Sequence, residues 1–235
     1  MRIDFVTLFP EMVLGALDHS MISRAQQQGI VEFGTSNPRD FATDNHHTVD
    51  DSPYGGGPGM VIRADVVGLA IDSLSPTPET TIIALEPWGK RFTQQVARRL
   101  SKSDHLVFLC GHYEGIDARV AEHYNCEVLS LGDFILTGGE PAAITMTDSI
   151  VRLLPGVLGD QESLETDSHS GGLLSYPQYT RPAEWRGLTP PEVLKSGDHK
   201  KIETWRRKWA LEITRKNRPD LFSLAALEPK DIDLL

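Results

Sequence analysis

Short apolar runs with little polar alternation punctuate the first two-thirds of the chain. They are FVTLF (5–9), TIIAL (81–85), HLVFLC (105–110) and CEVLSL (126–131). A strand covered on one face alternates apolar with polar residues, whereas one covered on both faces does not. The four runs therefore predict buried parallel strands. Between them, apolar positions recur at three- and four-residue spacing, which predicts helices over 11–28 (closed by Gly29), 65–74, 93–101 and 116–123. A further helix is predicted from Pro141, a favoured first-turn residue, and carries Ile144, Ile150, Val151 and Leu154. Strand and helix in alternation specify an α/β fold, a mostly parallel sheet with helices on both faces.

After LLPGVLG (153–159) the pattern stops. The stretch that follows is rich in Asp, Glu, Ser and Gly and has no period, and a loop of that length is functional or a linker. From 190 onward the pattern is helical only. One helix there starts near Asp198, a residue suited to cap it. The expected organisation is an α/β domain over 1–160, a linker over 161–182 and a small all-helical domain over 183–235.

Charge sharpens this picture. The 235 residues carry a formal net charge of −10, which argues against a general affinity for polyanions. Yet HKKIETWRRKWALEITRKNR (199–218) holds eight Lys or Arg against two Glu. One basic helix on an acidic chain suits a local polyanion contact, with Lys200, Arg206 and Arg207 as candidate residues. Trp205 and Trp209, four apart, read as the packed side of that helix. No apolar stretch approaches the ~20 residues of a membrane span, and Pro10 breaks the short apolar N-terminus. Two separated cysteines, Cys110 and Cys126, fit a reducing compartment, hence a cytoplasmic location.

Three predicted strands are each followed by a glycine-bearing turn: LEPWGK (85–90), CGHYEGID (110–117) and LGDFILTGGEPAA (131–143). Ligands of open α/β sheets bind beyond the carboxyl ends of strands. Three such loops together predict a pocket for an adenosine-sized ligand held by backbone groups. GxGxxG does not follow the first strand, and GxxxxGK[ST] is absent. YGGGPGM (54–60) has no Lys and no Ser or Thr, and carboxylates precede it, so it is no phosphate cradle. The histidines show no metal-ligand spacing, so no metal-binding residue is assigned.

Taken as an ordered series, LFPEM (8–12), PRDF (38–41), TVDDSPYGGGPGM (48–60), CGHYEGID, LGDFILTGGE, PGVLG (155–159) and YTRP (179–182) closely resemble the bacterial tRNA (guanine-37-N1) methyltransferases of the SPOUT superfamily. The resemblance runs from residue 1 to about 218. It implies a deep trefoil knot in the α/β domain, a homodimer with active sites shared between subunits, and tRNA as partner. The implied methyl donor is S-adenosylmethionine, held bent by the knot loops. By matching motif, its binding residues are Leu85, Glu86, Pro87, Gly89, Gly111, Tyr113, Glu114, Leu131, Gly132, Asp133, Phe134, Ile135, Leu136, Gly138, Gly139 and Ala142.

The implied acceptor is N1 of the guanine next to the anticodon. That nitrogen carries a proton, so a base must remove it before the lone pair can attack. The matching base is Asp167, and the matching arginine, Arg152, would stabilise charge pushed onto O6. Asp50 is suited to read a guanine edge, and Gly55, Gly57 and Gly59 would let backbone approach the base. The family's magnesium requirement finds no visible ligand cluster here. His112 stands where the family frequently has Arg. Two rivals stay open on residues alone: a knotted ribose 2′-O-methyltransferase, which leaves Asp167 idle, and a non-catalytic RNA-binding module built on the basic helix. A nucleotide-dependent dehydrogenase lacks its fingerprint.

Overall fold

The computed structural model describes residues 1–159 and 166–235, and these form two units, Met1–Gly159 and Asp160–Leu235. The first unit is built on a five-stranded sheet. Its strands are β1 (Arg2–Val6), β2 (Glu32–Ser36), β5 (Thr81–Arg91), β6 (His105–Leu109) and β7 (Glu127–Ser130), in the spatial order β2-β1-β6-β5-β7. All four pairings are parallel. A separate antiparallel pair, β3 (Asp50–Asp51) and β4 (Val61–Ile62), closes the glycine loop between them.

Alternation along the central strands explains why both faces are apolar. Ile3, Phe5, Ile83, Leu106, Phe108 and Leu129 point to one side and join one core cluster. On that side lie α1 (Pro10–Leu17), α2 (Ser20–Gln27), α4 (Gln94–Leu100) and α6 (Glu140–Val151), with α6 packed on the other three. Val6, Ile82, Ala84, Val107 and Leu109 point to the other side, against α3 (Ala64–Ser73), α5 (Ala118–His123) and a 3₁₀ turn over Pro38–Phe41. A strand such as HLVFL has no solvent face, which is why it carries no polar alternation.

Several expected boundaries shift. The first strand ends at Val6 rather than Phe9, because Pro10 opens α1 and Thr7 begins the turn into it. The expected helix over 11–28 is two helices. Their buried residues, Val13 and Leu17 then Ile22 and Ala25, step by five between Leu17 and Ile22, which one continuous helix cannot keep on one face. The chain re-phases at His19, which is extended, and Ser20, whose φ is 56°. β2, with sequence EFGTS, lies at the sheet edge and mixes polar with apolar residues, so it produced no apolar run.

The largest departure is in β5. Its pairing to β7 runs through Leu85↔Leu129 and resumes at Lys90↔Leu129. Residues 86–89 are therefore an excursion, and the strand then returns to the ladder. Gly89 permits the return, since a Cβ there would stand 2.6 Å from the Leu129 carbonyl carbon.

In the second unit, α7 (Glu192–Lys195), α8 (His199–Asn217), α9 (Pro219–Leu224) and α10 (Pro229–Ile232) follow one another. Asp198 caps α8 by accepting the Lys201 N–H at 3.1 Å. α8 buries Ala210, Leu211 and Thr214, and Thr214 Oγ1 accepts the Leu174 N–H at 2.9 Å, tying the preceding segment down. Among the described residues no helix is long and apolar enough to cross a membrane.

Candidate active site

The loops after β5, β6 and β7 meet at the carboxyl edge of the sheet and enclose a cleft. Its walls are Leu85–Pro87, Gly111–Gly115, Ser130–Gly132, Phe134–Gly139 and Ala142. Of the residues expected to hold the donor, Leu85, Glu86, Pro87, Gly111, Tyr113, Glu114, Leu131, Gly132, Phe134, Ile135, Leu136, Gly138, Gly139 and Ala142 line it. Gly89 and Asp133 do not. Gly89 packs on Leu129, and the exposed Asp133 carboxylate meets Arg91 at 2.6 Å. His112, which stands where the family frequently has Arg, also lines the cleft, as do Gly115, Ser130 and Thr137, which were not assigned to it, although Gly115 stands within CGHYEGID and Thr137 within LGDFILTGGE.

Close approach of main chains builds this cleft. Gly139 donates its N–H to the Gly111 carbonyl at 2.9 Å, and Gly138 forms a β-bridge with His112. Tyr113 has φ 58°, a costly conformation for a side chain of that size, at the point where the β6 loop turns into the cleft. Glu114 N–H donates to the Met60 carbonyl at 3.0 Å, which joins this loop to the end of the glycine loop. A Cβ on Gly59 would run into the Glu114 side chain.

The cleft is electrostatically one-sided. Among the described residues its lining contains the carboxylates Glu86 and Glu114 and no Lys or Arg. Burial pushes the Glu86 carboxyl above its ordinary value, against a hydrogen bond from the Ile116 backbone that works the other way. A phosphate would meet repulsion here, while a cationic nucleoside finds a matching field. Beneath the cleft, Glu140 is wholly buried at the start of α6, held by Thr7 Oγ1 at 2.6 Å and by His112 Nε2 at 2.7 Å.

The remaining candidates fall elsewhere. Asp50 is half-buried in β3 and pairs with Ile62. Gly55, Gly57 and Gly59 all have positive φ, between 85° and 122°, and Gly55 and Gly57 face open space. These positions need glycine for backbone conformation. Arg152 is the C-cap of α6 in the first unit. Asp167 belongs to the second unit, where it lines a cavity with Leu173, Tyr176, Arg206 and Arg207. Arg206 lies over the Tyr176 ring, 4.9 Å from its centroid, and Arg207 makes a two-pronged ion pair with Asp231 at 2.7 and 2.6 Å. Lys200 is exposed in the first turn of α8. Among the described residues no group of three or more His, Cys, Asp or Glu comes together that could hold a metal ion, so no step is assigned to magnesium.

The geometry agrees with comparisons across known proteins. The family model described as "tRNA (Guanine-1)-methyltransferase TrmD" matches residues 1–224. A protein of Macrococcus caseolyticus named tRNA (guanine-N(1)-)-methyltransferase is 51% identical over 235 residues, covering 100% of this chain and 97% of the relative. Proteins of the same name from Staphylococcus aureus and Staphylococcus epidermidis are 50% and 48% identical, each over 100% of this chain and 96% of their own length. The chain belongs to the tRNA (guanine-1)-methyltransferase family.

Proposed function

We propose that the protein transfers the methyl group of S-adenosylmethionine to N1 of guanine 37, beside the anticodon of tRNA. Membership of the family supports the reaction type. The observation that carries the donor is the cleft itself, lined by backbone and two carboxylates, with no Lys or Arg among its described lining residues. The donor supplies an electrophilic methyl carbon on a cationic sulfur. Glu86 and Glu114 supply opposite charge, and the backbone groups of 111, 132 and 138 supply hydrogen bonds to a nucleoside.

On the acceptor side, Asp167 takes the N1 proton, and the freed lone pair attacks the methyl carbon as its bond to sulfur breaks. Arg152 donates to O6, where the negative charge of the deprotonated ring collects. In this reading Asp50 and the backbone of Gly55, Gly57 and Gly59 receive guanine edges. Lys200 and Arg206 on the basic helix meet the phosphate backbone. Arg207 supports that helix from its pairing with Asp231.

The same reading includes a deep trefoil knot, a homodimer with shared active sites and a cytoplasmic location. Support for the knot comes from the backbone contact of Gly138–Gly139 with Cys110–His112, which packs the loop after β7 directly against the loop after β6. The dimer is supported by exposed apolar side chains on and beside α1, Phe9, Met12 and Leu14, and on the β7 loop, Phe134 and Ile135.

The test is incubation with labelled S-adenosylmethionine and tRNA transcripts that differ only at position 37. Label at guanine N1, lost when position 37 is adenine, is the expected result. Label on ribose, or on adenine 37, overturns the reading. Asp167→Asn is expected to retain donor affinity and lose turnover by about a hundred-fold or more.

A further inference from the structure

Glu140 takes no part in the chemistry above, yet it is a wholly buried carboxylate directly under the donor cleft. Burying such a charge is costly unless both oxygens are engaged. Here they are engaged by two different segments. Oε1 accepts from Thr7 Oγ1 at 2.6 Å, and Oε2 meets His112 Nε2 at 2.7 Å. Thr7 Oγ1 itself accepts the Phe9 N–H at 2.9 Å, which commits the threonine proton to Glu140. The Phe9 ring centroid lies 4.8 Å from that of His112, tilted by 56°, so the imidazole is held by a carboxylate and packed beside an aromatic ring. Gly138 completes the seat, since a Cβ there would strike both the His112 ring and the Glu140 carboxylate.

We infer that Glu140 is a positioning residue that acts through His112 to set the donor-binding shape of the 111–115 loop. The inference rests on the placement of the donor in this cleft. His112 is the fixed point from which the loop departs. Gly115 N–H returns to the His112 carbonyl at 3.0 Å, and between them Tyr113 is held at φ 58° beside Glu114. Tyr113 is more than half exposed, so core packing does not hold its left-handed backbone. It is held between the anchored His112, whose carbonyl takes the Gly115 N–H, and the Glu114 N–H bond to the Met60 carbonyl. The carboxylate thus ties the end of β1, the β6 loop and the start of α6 into one wall.

The test separates donor affinity from fold. His112→Leu, which keeps bulk and removes the hydrogen bond, is expected to raise the donor KM about ten-fold while the tRNA KM changes by less than about two-fold. Glu140→Gln is expected to shift the donor KM in the same direction. His112→Arg, whose guanidinium can donate to the same carboxylate, is expected to restore the wild-type donor KM. Leu136→Lys, which puts a cation in the cleft wall, serves as control and is expected to weaken donor binding measured by calorimetry. A wild-type donor KM in His112→Leu, with Leu136→Lys impaired, overturns the inference alone. Unchanged donor binding in both variants overturns the donor placement and the inference with it. A lowered melting temperature of His112→Leu with a wild-type donor KM counts as a purely structural role and also overturns it.

Discussion

Gly139 and Cys110 are in backbone contact: a Cβ on Gly139 would stand 2.8 Å from the Cys110 Cα and 3.1 Å from the Gly111 nitrogen. The neighbours are main-chain atoms, which no rotamer change can move aside. Gly139→Ala must therefore push apart the two loops that form the cleft floor. The expected cost is about 2 kcal/mol of stability, a fall of several degrees in melting temperature, together with a loss of donor affinity of about ten-fold or more. Thermal unfolding and donor calorimetry on the same sample check both. A variant that melts and binds like wild type would show that the loops separate freely.

Glu86 should give donor binding an acid limb. Its carboxyl is raised above the ordinary value of 4.5 because burial penalises the ionised form. A cation in the cleft favours that same ionised form, so binding releases a proton wherever the empty site is protonated. Affinity is then expected to fall as pH drops through the raised pKa and to level off above it. Glu86→Gln is expected to abolish this limb and to weaken binding at neutral pH by roughly three- to ten-fold. Calorimetric titrations from about pH 4.5 to 7.5 measure both effects. A limb of equal slope in Glu86→Gln would assign it to another group.

The parallel sheet was legible because strands such as His105–Leu109 are covered on both faces and cannot alternate. The carboxyl-edge loops were legible for a similar reason, since glycine-bearing turns followed three of these strands. β2 was not legible, because an edge strand that buries only Ser36 fully leaves no apolar run. Nor was the fate of Gly89 and Asp133. The excursion of 86–89 depends on Leu129 pairing twice with β5, and such a slip in register belongs to the partner strand. Glu140 and His112 both stood inside quoted motifs, but 28 residues separate them and nothing in the spacing couples them. The contact arises because the β6 loop and the start of α6 come together in space.

Gly34 and Asp4, register partners in β2 and β1, are a glycine set against a buried side chain. Asp4 is wholly buried, with Oδ2 bound at 2.7 Å by both Arg2 Nε and His105 Nε2. Oδ1 has no hydrogen-bond partner among the described residues, and it occupies the space a Gly34 Cβ would need. Gly34→Ala is expected to drive the carboxylate off its partners and to cost about 2–3 kcal/mol in urea unfolding. If the clash is the cause, a second substitution, Asp4→Ala, should not add its full cost. A double-mutant cycle should then show at least about 1 kcal/mol of coupling. Strict additivity would place the damage in the strand itself.

Arg207 and Asp231 distinguish a charge that supports the second unit from charges available to tRNA. Asp231 is screened from water by its neighbours, and its pKa is lowered to about 2, chiefly by the hydrogen-bonded Arg207 guanidinium. The Glu228 N–H adds a bond at 2.9 Å and so closes the cap of α10. A pKa lower in the folded chain than the ordinary 3.8 contributes stability that is fully present above about pH 4 and lost as pH falls towards 2. Asp231→Asn is expected to remove that acid dependence from the unfolding of the second unit and to lower its stability at neutral pH. Arg207→Ala should do the same, while leaving the salt dependence of tRNA binding close to wild type. Arg206 rests on the Tyr176 ring, with no carboxylate bound to it in the described contacts. Arg206→Ala should instead spare stability and reduce the slope of log affinity against log salt by about one. An Arg207→Ala protein with wild-type acid unfolding and a reduced salt slope would reverse the two roles.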